Sequence, residues 1–266
     1  MYCVANNCTA YPNVVFDAKG LKEALAEGKD VVLSENIETE ATDEAPYGNL
    51  VGFVHDGTVF DGNGKTISVT NDGDEYAVMT SGGTIKNLKV DDGFRGIMIM
   101  NPNQTILLDN VTVSGDVCYA LNTAEGDGKQ DLIVTNSTLN GWTSIGTAVK
   151  SATFTNCTFG QGSYYGDVRG RLVKPYINTT FKNCEFNSKF YIDLSQLGKD
   201  GNKHVLDANA YIVLENCTVN GVKLTAENWT SLIASEEDCK DGQISVEAKD
   251  GTYMSDLNVL DYVIIK

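Results

Sequence analysis

The stretch Leu107-Leu108-Asp109-Asn110-Val111-Thr112-Val113 alternates apolar and polar residues on both sides of an asparagine. Alternation with a period of two is typical of a β-strand with one buried face, and asparagine tolerates the left-handed backbone of a tight turn. The same pattern returns along the chain, with 20 to 33 residues between successive asparagines from Asn87 onward. Its asparagines are Asn36, Asn63, Asn87, Asn110, Asn136, Asn156, Asn183 and Asn216. Such a repeat predicts stacked coils, because one coil cannot bury its apolar face alone.

A further alternating stretch lies between consecutive asparagine units, so each coil is expected to contain three strands. The examples are residues 96–100, 118–121, 145–149 and 190–194. Over roughly residues 30–222 this pattern resembles the right-handed parallel β-helix of the pectin-lyase-like superfamily. The resemblance implies an all-β, single-stranded solenoid of about eight coils, with the asparagines stacked at the turn between the second and third strands.

The two ends fall outside the repeat. Residues 1–29 are expected to form an N-terminal arm and a capping helix over 21–28, which a glycine terminates. Residues 223–266 are expected to form a C-terminal cap with a second helix over 225–233. The segment 240–266 should then form strands that fold back on the rod or pair with another chain.

The repeat predicts the position of three of the seven cysteines. Cys157, Cys184 and Cys217 each come after a repeat asparagine, so they should form an inward stack of buried thiols. An odd cysteine count excludes complete pairing within one chain. Cys3 and Cys8 are either a local pair or free thiols.

Composition excludes several classes of function. The chain has 36 acidic and 20 basic side chains, a formal charge of −16, which argues against a nucleic-acid partner. The sequence contains no 18-residue apolar run that would span a membrane and no secretory signal as written. We expect an extracellular, cell-surface or virion location, with a homotrimer or virion partners as candidate assemblies.

A cluster of carboxylates is expected beside one arginine. Family enzymes place their cleft along the first strand and the turn before it, where successive coils offer acidic residues. The predicted Ca²⁺ ligands are Asp72, Asp74, Asp91, Asp92 and Asp116. In lyases of this fold, calcium neutralises a uronate and a lysine or arginine is the base. By that resemblance Arg95 or Arg169 would be the catalytic residue. The alternative is a solvated acidic turn.

The longest turn, residues 160–171, is a second candidate site. Aromatic faces with an arginine and an aspartate suit sugar binding through stacking and bidentate hydrogen bonds. The predicted glycan-binding residues are Trp142 in the equivalent turn one coil earlier, then Tyr164, Tyr165, Asp167 and Arg169. The alternative is a loop whose tyrosines pack on the flank of the rod.

Two function hypotheses remain open. The first is a non-catalytic, surface-displayed β-helix, structural or glycan-binding, in a phage virion or fibre or on a bacterial cell surface. The second is a calcium-dependent polysaccharide lyase or a related glycoside hydrolase. His55 and His204 fall in different coils, so a histidine-based triad is not expected. The partner in either case is a polysaccharide or cell-surface glycan.

Overall fold

The computed structural model describes residues 13–41, 48–71, 73–91, 95–114, 119–160, 172–175, 178–187, 191–192, 205–206, 212–228, 247–248 and 263–266. Short strands from successive coils pair in parallel and build three long sheets. We number the sheets so that the asparagine turn joins sheet 2 to sheet 3. The predicted all-β parallel β-helix is confirmed.

The strands are grouped here by sheet. Sheet 1 contains Phe53–Val54, Tyr76–Thr80, Arg95–Ile99, Tyr119–Thr123, Trp142–Ile145, Leu172–Pro175 and Tyr191–Ile192. Sheet 2 contains Asn13–Val15, Val31–Leu33, Val59–Asp61, Thr84–Lys86, Ile106–Asp109, Asp131–Thr135, Ser151–Thr155, Asn178–Lys182, Ile212–Glu215 and Val263–Ile265. Sheet 3 contains Ile37–Thr39, Thr66–Val69, Lys89–Asp91, Thr112–Val113, Thr138–Leu139, Thr158–Phe159, Glu185–Phe186, Thr218–Val219 and Val222–Lys223. A separate pair joins Val205–Leu206 to Glu247–Ala248.

The asparagine ladder is present at the turn between sheets 2 and 3. From Asn87 to Asn216 each ladder asparagine has φ between 52° and 55°, a left-handed conformation that asparagine tolerates. The ladder side chains bond between coils in two runs. The first comprises Asn87 to Asp61 at 3.0 Å and Asn110 to Asn87 at 2.9 Å. The second comprises Asn136 to Asp109, Asn156 to Asn136, Asn183 to Asn156 and Asn216 to Asn183.

The first two coils depart from this geometry. Asn36 is not among the left-handed residues, and its side chain accepts the Thr66 backbone N–H at 3.0 Å. In the second coil Gly62 takes the ladder position, since its N–H donates to the Lys86 carbonyl at 2.8 Å. A Cβ on Gly62 would lie 2.6 Å from the Asn87 carbonyl oxygen, so glycine is required there. Asn63 and Gly64 are then an insertion with positive φ.

Side chains of the same type stack inside the rod because the coils are in register. The rings of Phe154 and Phe181 stack at 5.1 Å, and those of Phe159 and Phe186 at 4.9 Å. Cys157, Cys184 and Cys217 are buried free thiols, as predicted. Hydrogen bonds with the Cys157 and Cys217 thiols, together with burial, raise the pKa of the Cys184 thiol well above its usual range.

The N-terminal end carries the predicted helix. It spans Ala18–Ala26, and the Asp17 carboxylate accepts the Gly20 N–H at 2.7 Å, as an N-cap does. Leu21 and Leu25 are buried against the first coil, and Gly28 follows at φ 66°. The sequence pattern did not predict the strand Asn13–Val15, which extends sheet 2 beyond the first coil.

At the C-terminal end the strand Val263–Ile265 pairs in parallel with Ile212–Glu215. It therefore folds back on the rod as a further sheet 2 strand, one of the two predicted outcomes. Of the predicted second helix, residues 226–228 form a turn and 229–233 lie outside the described residues. The Cys3 and Cys8 prediction also falls outside them.

Candidate functional site on sheet 1

Sheet 1 concentrates the polar groups that the rod buries. Nine polar or charged side chains are buried among the described residues, and six of them lie on sheet 1 or directly before one of its strands. They are Glu75, Thr80, Arg95, Thr123, Thr143 and Ser144. The other three are Thr58, Ser137 and Thr179, and the rest of the described interior is mainly aliphatic and aromatic side chains and the cysteine stack. Because burying polar groups costs free energy, their concentration on one sheet marks sheet 1 as the candidate site.

Arg95 lies at the centre of this face. It is the first residue of its strand, and the register pairs it with Tyr76 in the coil before and Tyr119 in the coil after. The guanidinium carbon is 5.4 Å from the Tyr76 ring centre and 5.9 Å from that of Tyr119. Two cation–π contacts therefore hold the guanidinium between the rings, and only 7% of the residue is exposed.

Polar contacts complete the surroundings of Arg95. Its Nη2 donates to Asp74 Oδ1 at 2.8 Å, and its Nη1 donates to the Tyr76 hydroxyl at 3.4 Å. The same hydroxyl accepts the side-chain N–H of Asn122 at 2.6 Å. Three successive coils thus contribute to one connected network, which fixes the orientation of each side chain.

Trp142 extends the row of first residues by one coil. It pairs in register with Tyr119, and the two rings meet edge to face at 5.0 Å. The sequence-based placement of Trp142 in a turn is wrong: it begins the strand Trp142–Ile145 and is 8% exposed. The sheet 1 strand of this coil therefore begins three residues before the predicted strand over 145–149. The preceding turn ends at Gly141, whose φ is 137°, before the residues whose alternation predicted a strand.

The predicted calcium ligands are only partly described. Asp74 is the ion-pair partner of Arg95, and Asp91 ends a sheet 3 strand, where its Oδ1 accepts the Ser114 hydroxyl at 2.7 Å. Asp72, Asp92 and Asp116 lie outside the described residues. Within the described part of the chain, no three His, Cys, Asp or Glu side chains form a group suited to a metal ion.

Residues 161–171 of the long turn also lie outside the described residues. Tyr164, Tyr165, Asp167 and Arg169 therefore remain a prediction. The strand that follows, Leu172–Pro175, continues sheet 1 by pairing with the strand of Trp142.

The sequence analysis did not predict three members of the network as site residues: Tyr76, Tyr119 and Asn122. The feature of the sequence that could have identified the two tyrosines is a shared position. Consecutive sheet 1 strands begin with Tyr76, Arg95, Tyr119 and Trp142. An alignment of the coils on these strands would have revealed a row of aromatic and cationic residues. The row spans three inter-strand steps, about 14 Å at ~4.8 Å per step.

The helix Ala18–Ala26 is short and amphipathic, and nothing among the described residues has the length and apolar character of a membrane-spanning helix. A comparison of the chain with protein-family models, curated proteins and solved structures finds no match.

Proposed function

We propose that this chain is a non-catalytic, glycan-binding β-helix module and that sheet 1 is its binding face. The observation that carries the proposal is the row Tyr76, Arg95, Tyr119 and Trp142, which combines closely packed aromatic rings with an oriented guanidinium. Sugar rings bind to aromatic faces and to fixed hydrogen-bond groups. The row runs along the rod axis, so a linear glycan would lie across several coils.

The state of Arg95 favours binding over catalysis. A lyase base must accept a proton, whereas a guanidinium stays protonated in proteins. The Asp74 carboxylate at 2.8 Å stabilises the cation further, and the two tyrosine rings do the same. Arg95 is therefore suited to orient neighbouring groups and not to remove a proton from a sugar.

The biological setting is proposed on the same basis. A rigid rod with a side face for glycans suits a bacterial cell-surface protein or a phage virion or fibre component, as a relative of the pectin-lyase-like superfamily. A homotrimer or attachment to virion partners would present several such faces together and raise avidity.

A calcium-dependent polysaccharide lyase is the second candidate. One observation favours it. Arg95 lies on sheet 1, where enzymes of the pectin-lyase-like superfamily, which this chain resembles, place their cleft. In this alternative Arg95 or Arg169 is the base, and carboxylates of the turns before sheet 1 hold Ca²⁺.

One set of variants tests both candidates. Tyr119 is the half-buried member of the row, so Tyr119→Ala should remove most binding on a glycan array. Phe16→Ala is the matched control, because Phe16 is a 67% exposed aromatic residue outside sheet 1. Retained binding in Tyr119→Ala would contradict the proposal. Uronate polysaccharides incubated with Ca²⁺ should give no unsaturated product. Calcium-dependent product that Arg95→Ala abolishes would favour the lyase.

A further inference from the structure

The Asp74 carboxylate occupies the position that an acidic ligand of Arg95 would need. Asp74 Oδ1 lies 2.8 Å from Arg95 Nη2. The Asp74 side chain is 44% exposed, whereas that of Arg95 is 8% exposed. Asp74 is thus the outer member of the pair, and a group that approaches the guanidinium from solvent meets a carboxylate first.

The two tyrosines restrict how Arg95 can be reached. Because the Tyr76 and Tyr119 rings lie against the guanidinium, it makes its hydrogen bonds at its edge. That edge already contacts the Tyr76 hydroxyl and Asp74. A ligand carboxylate could form a bidentate pair with Nη1 and Nη2 only by displacing Asp74, because Asp74 Oδ1 already accepts from Nη2.

We infer that Asp74 is a specificity-determining residue that makes the sheet 1 site select neutral glycans over uronates. The inference rests on the proposed glycan-binding function. Asp74 compensates the charge of Arg95 within the site, and the chain as a whole carries −16. An added uronate would therefore meet repulsion beside a guanidinium that Asp74 already pairs. A neutral sugar can accept and donate hydrogen bonds at the site without breaking the ion pair.

The experiment uses matched trisaccharide pairs that differ only at C6: galactose and galacturonate, glucose and glucuronate, mannose and mannuronate. Affinities are measured by calorimetry for the full chain and for Asp74→Asn. Asp131→Asn is the control, because it removes the same charge from sheet 2, where Asp131 accepts the Ser151 hydroxyl. Asp74→Glu keeps the carboxylate and should keep the selectivity. Thermal unfolding verifies that each variant is folded.

We expect the unsubstituted chain to bind the neutral member of at least one pair about tenfold or more tightly than its uronate, as like-charge repulsion predicts. In Asp74→Asn the guanidinium no longer pairs with a carboxylate at position 74 and should bind the uronate, with an affinity that falls as salt rises. Asp131→Asn should keep the original preference. Equal or tighter uronate binding by the unsubstituted chain, or unchanged selectivity in folded Asp74→Asn, overturns the inference and leaves glycan binding intact. Absence of binding to all six sugars overturns both proposals.

Discussion

The side-chain amide of Asn216 donates to Asn183 Oδ1 at 2.8 Å, across one coil of the rod. Asn183 in turn donates to Asn156 at 3.2 Å, so this one side chain joins three coils. Its backbone has φ 52°, which non-glycine residues other than asparagine and aspartate rarely adopt. The ladder asparagine therefore has two roles, one in the backbone and one in the side chain.

Substitutions at Asn183 should separate these two roles. Asn183→Gly keeps the left-handed backbone but loses two hydrogen bonds, a cost of about 1–3 kcal/mol in the free energy of unfolding. Asn183→Ala loses the same bonds and adds about 1–2 kcal/mol of backbone strain. Urea denaturation measures both values.

Asn220 provides the matched control. It has φ 50° and, within the described residues, no ladder hydrogen bond from its side chain. Asn220→Gly should therefore cost little, whereas Asn220→Ala should show the backbone strain alone. Equal costs for the glycine variants at 183 and 220 would mean that the ladder bonds contribute nothing.

The cysteine stack should accept serine more readily than alanine. The Cys184 thiol donates to the carbonyls of Phe154 and Lys182, and Ser137 occupies the same position in an earlier coil. Cys184→Ser can keep these bonds and should cost below about 1 kcal/mol, whereas Cys184→Ala should cost about 1–3 kcal/mol. Thermal and urea unfolding compare the two. If serine costs more than alanine, the thiol acts mainly as an apolar filler.

Lys86 should link stability to pH through two aspartates. Burial alone would raise the pKa of Asp61, but hydrogen bonds from Asn87, Asn63 and Lys86 and the lysine charge lower it below its ordinary 3.8. Hydrogen bonds from Thr135 and Asn136 lower the pKa of Asp109. Because both folded-state pKa values are depressed, their stabilisation is present above the unfolded value and is lost as pH falls through the folded one.

Lys86→Gln should therefore destabilise the fold near neutral pH and do so less in acid. The pair with Asp61 at 3.3 Å is partly exposed, so the loss should be a few tenths to about 1 kcal/mol. We expect this loss of unfolding free energy at about pH 6, and we expect it to become smaller below about pH 4, where the carboxylates protonate. Lys89→Gln is the control, because Lys89 forms no ion pair among the described residues. A pH-independent loss would argue against the linkage.

The sequence predicted the part of the fold that has constant geometry. From Lys86 onward the turn between sheets 2 and 3 always contains two residues, such as Asn87 and Leu88. A fixed turn keeps the alternation in phase, so the ladder and the cysteine stack could be predicted from local pattern alone.

The turn before sheet 1 has no such constancy. It contains six residues before Tyr76, three before Arg95 and two before Trp142. Without a fixed length, sequence spacing does not show that these residues share a register, and it predicts a turn position for Trp142. The sequence predicts Asp74 as a calcium ligand because its ion-pair partner is distant along the chain. Its role depends on Arg95, which lies one coil later and becomes its neighbour only when the coils stack.

Photo-cross-linking can locate the proposed glycan site on sheet 1. A diazirine-labelled form of the best array ligand is irradiated with the protein, and the attachment sites are mapped by mass spectrometry. We predict attachment within 74–80, 95–99 and 119–123, with loss of the signal when excess unlabelled glycan competes. Competable attachment confined to the outer faces of sheets 2 and 3, at residues such as Ile133 or Thr138, would rule out sheet 1 as the binding face.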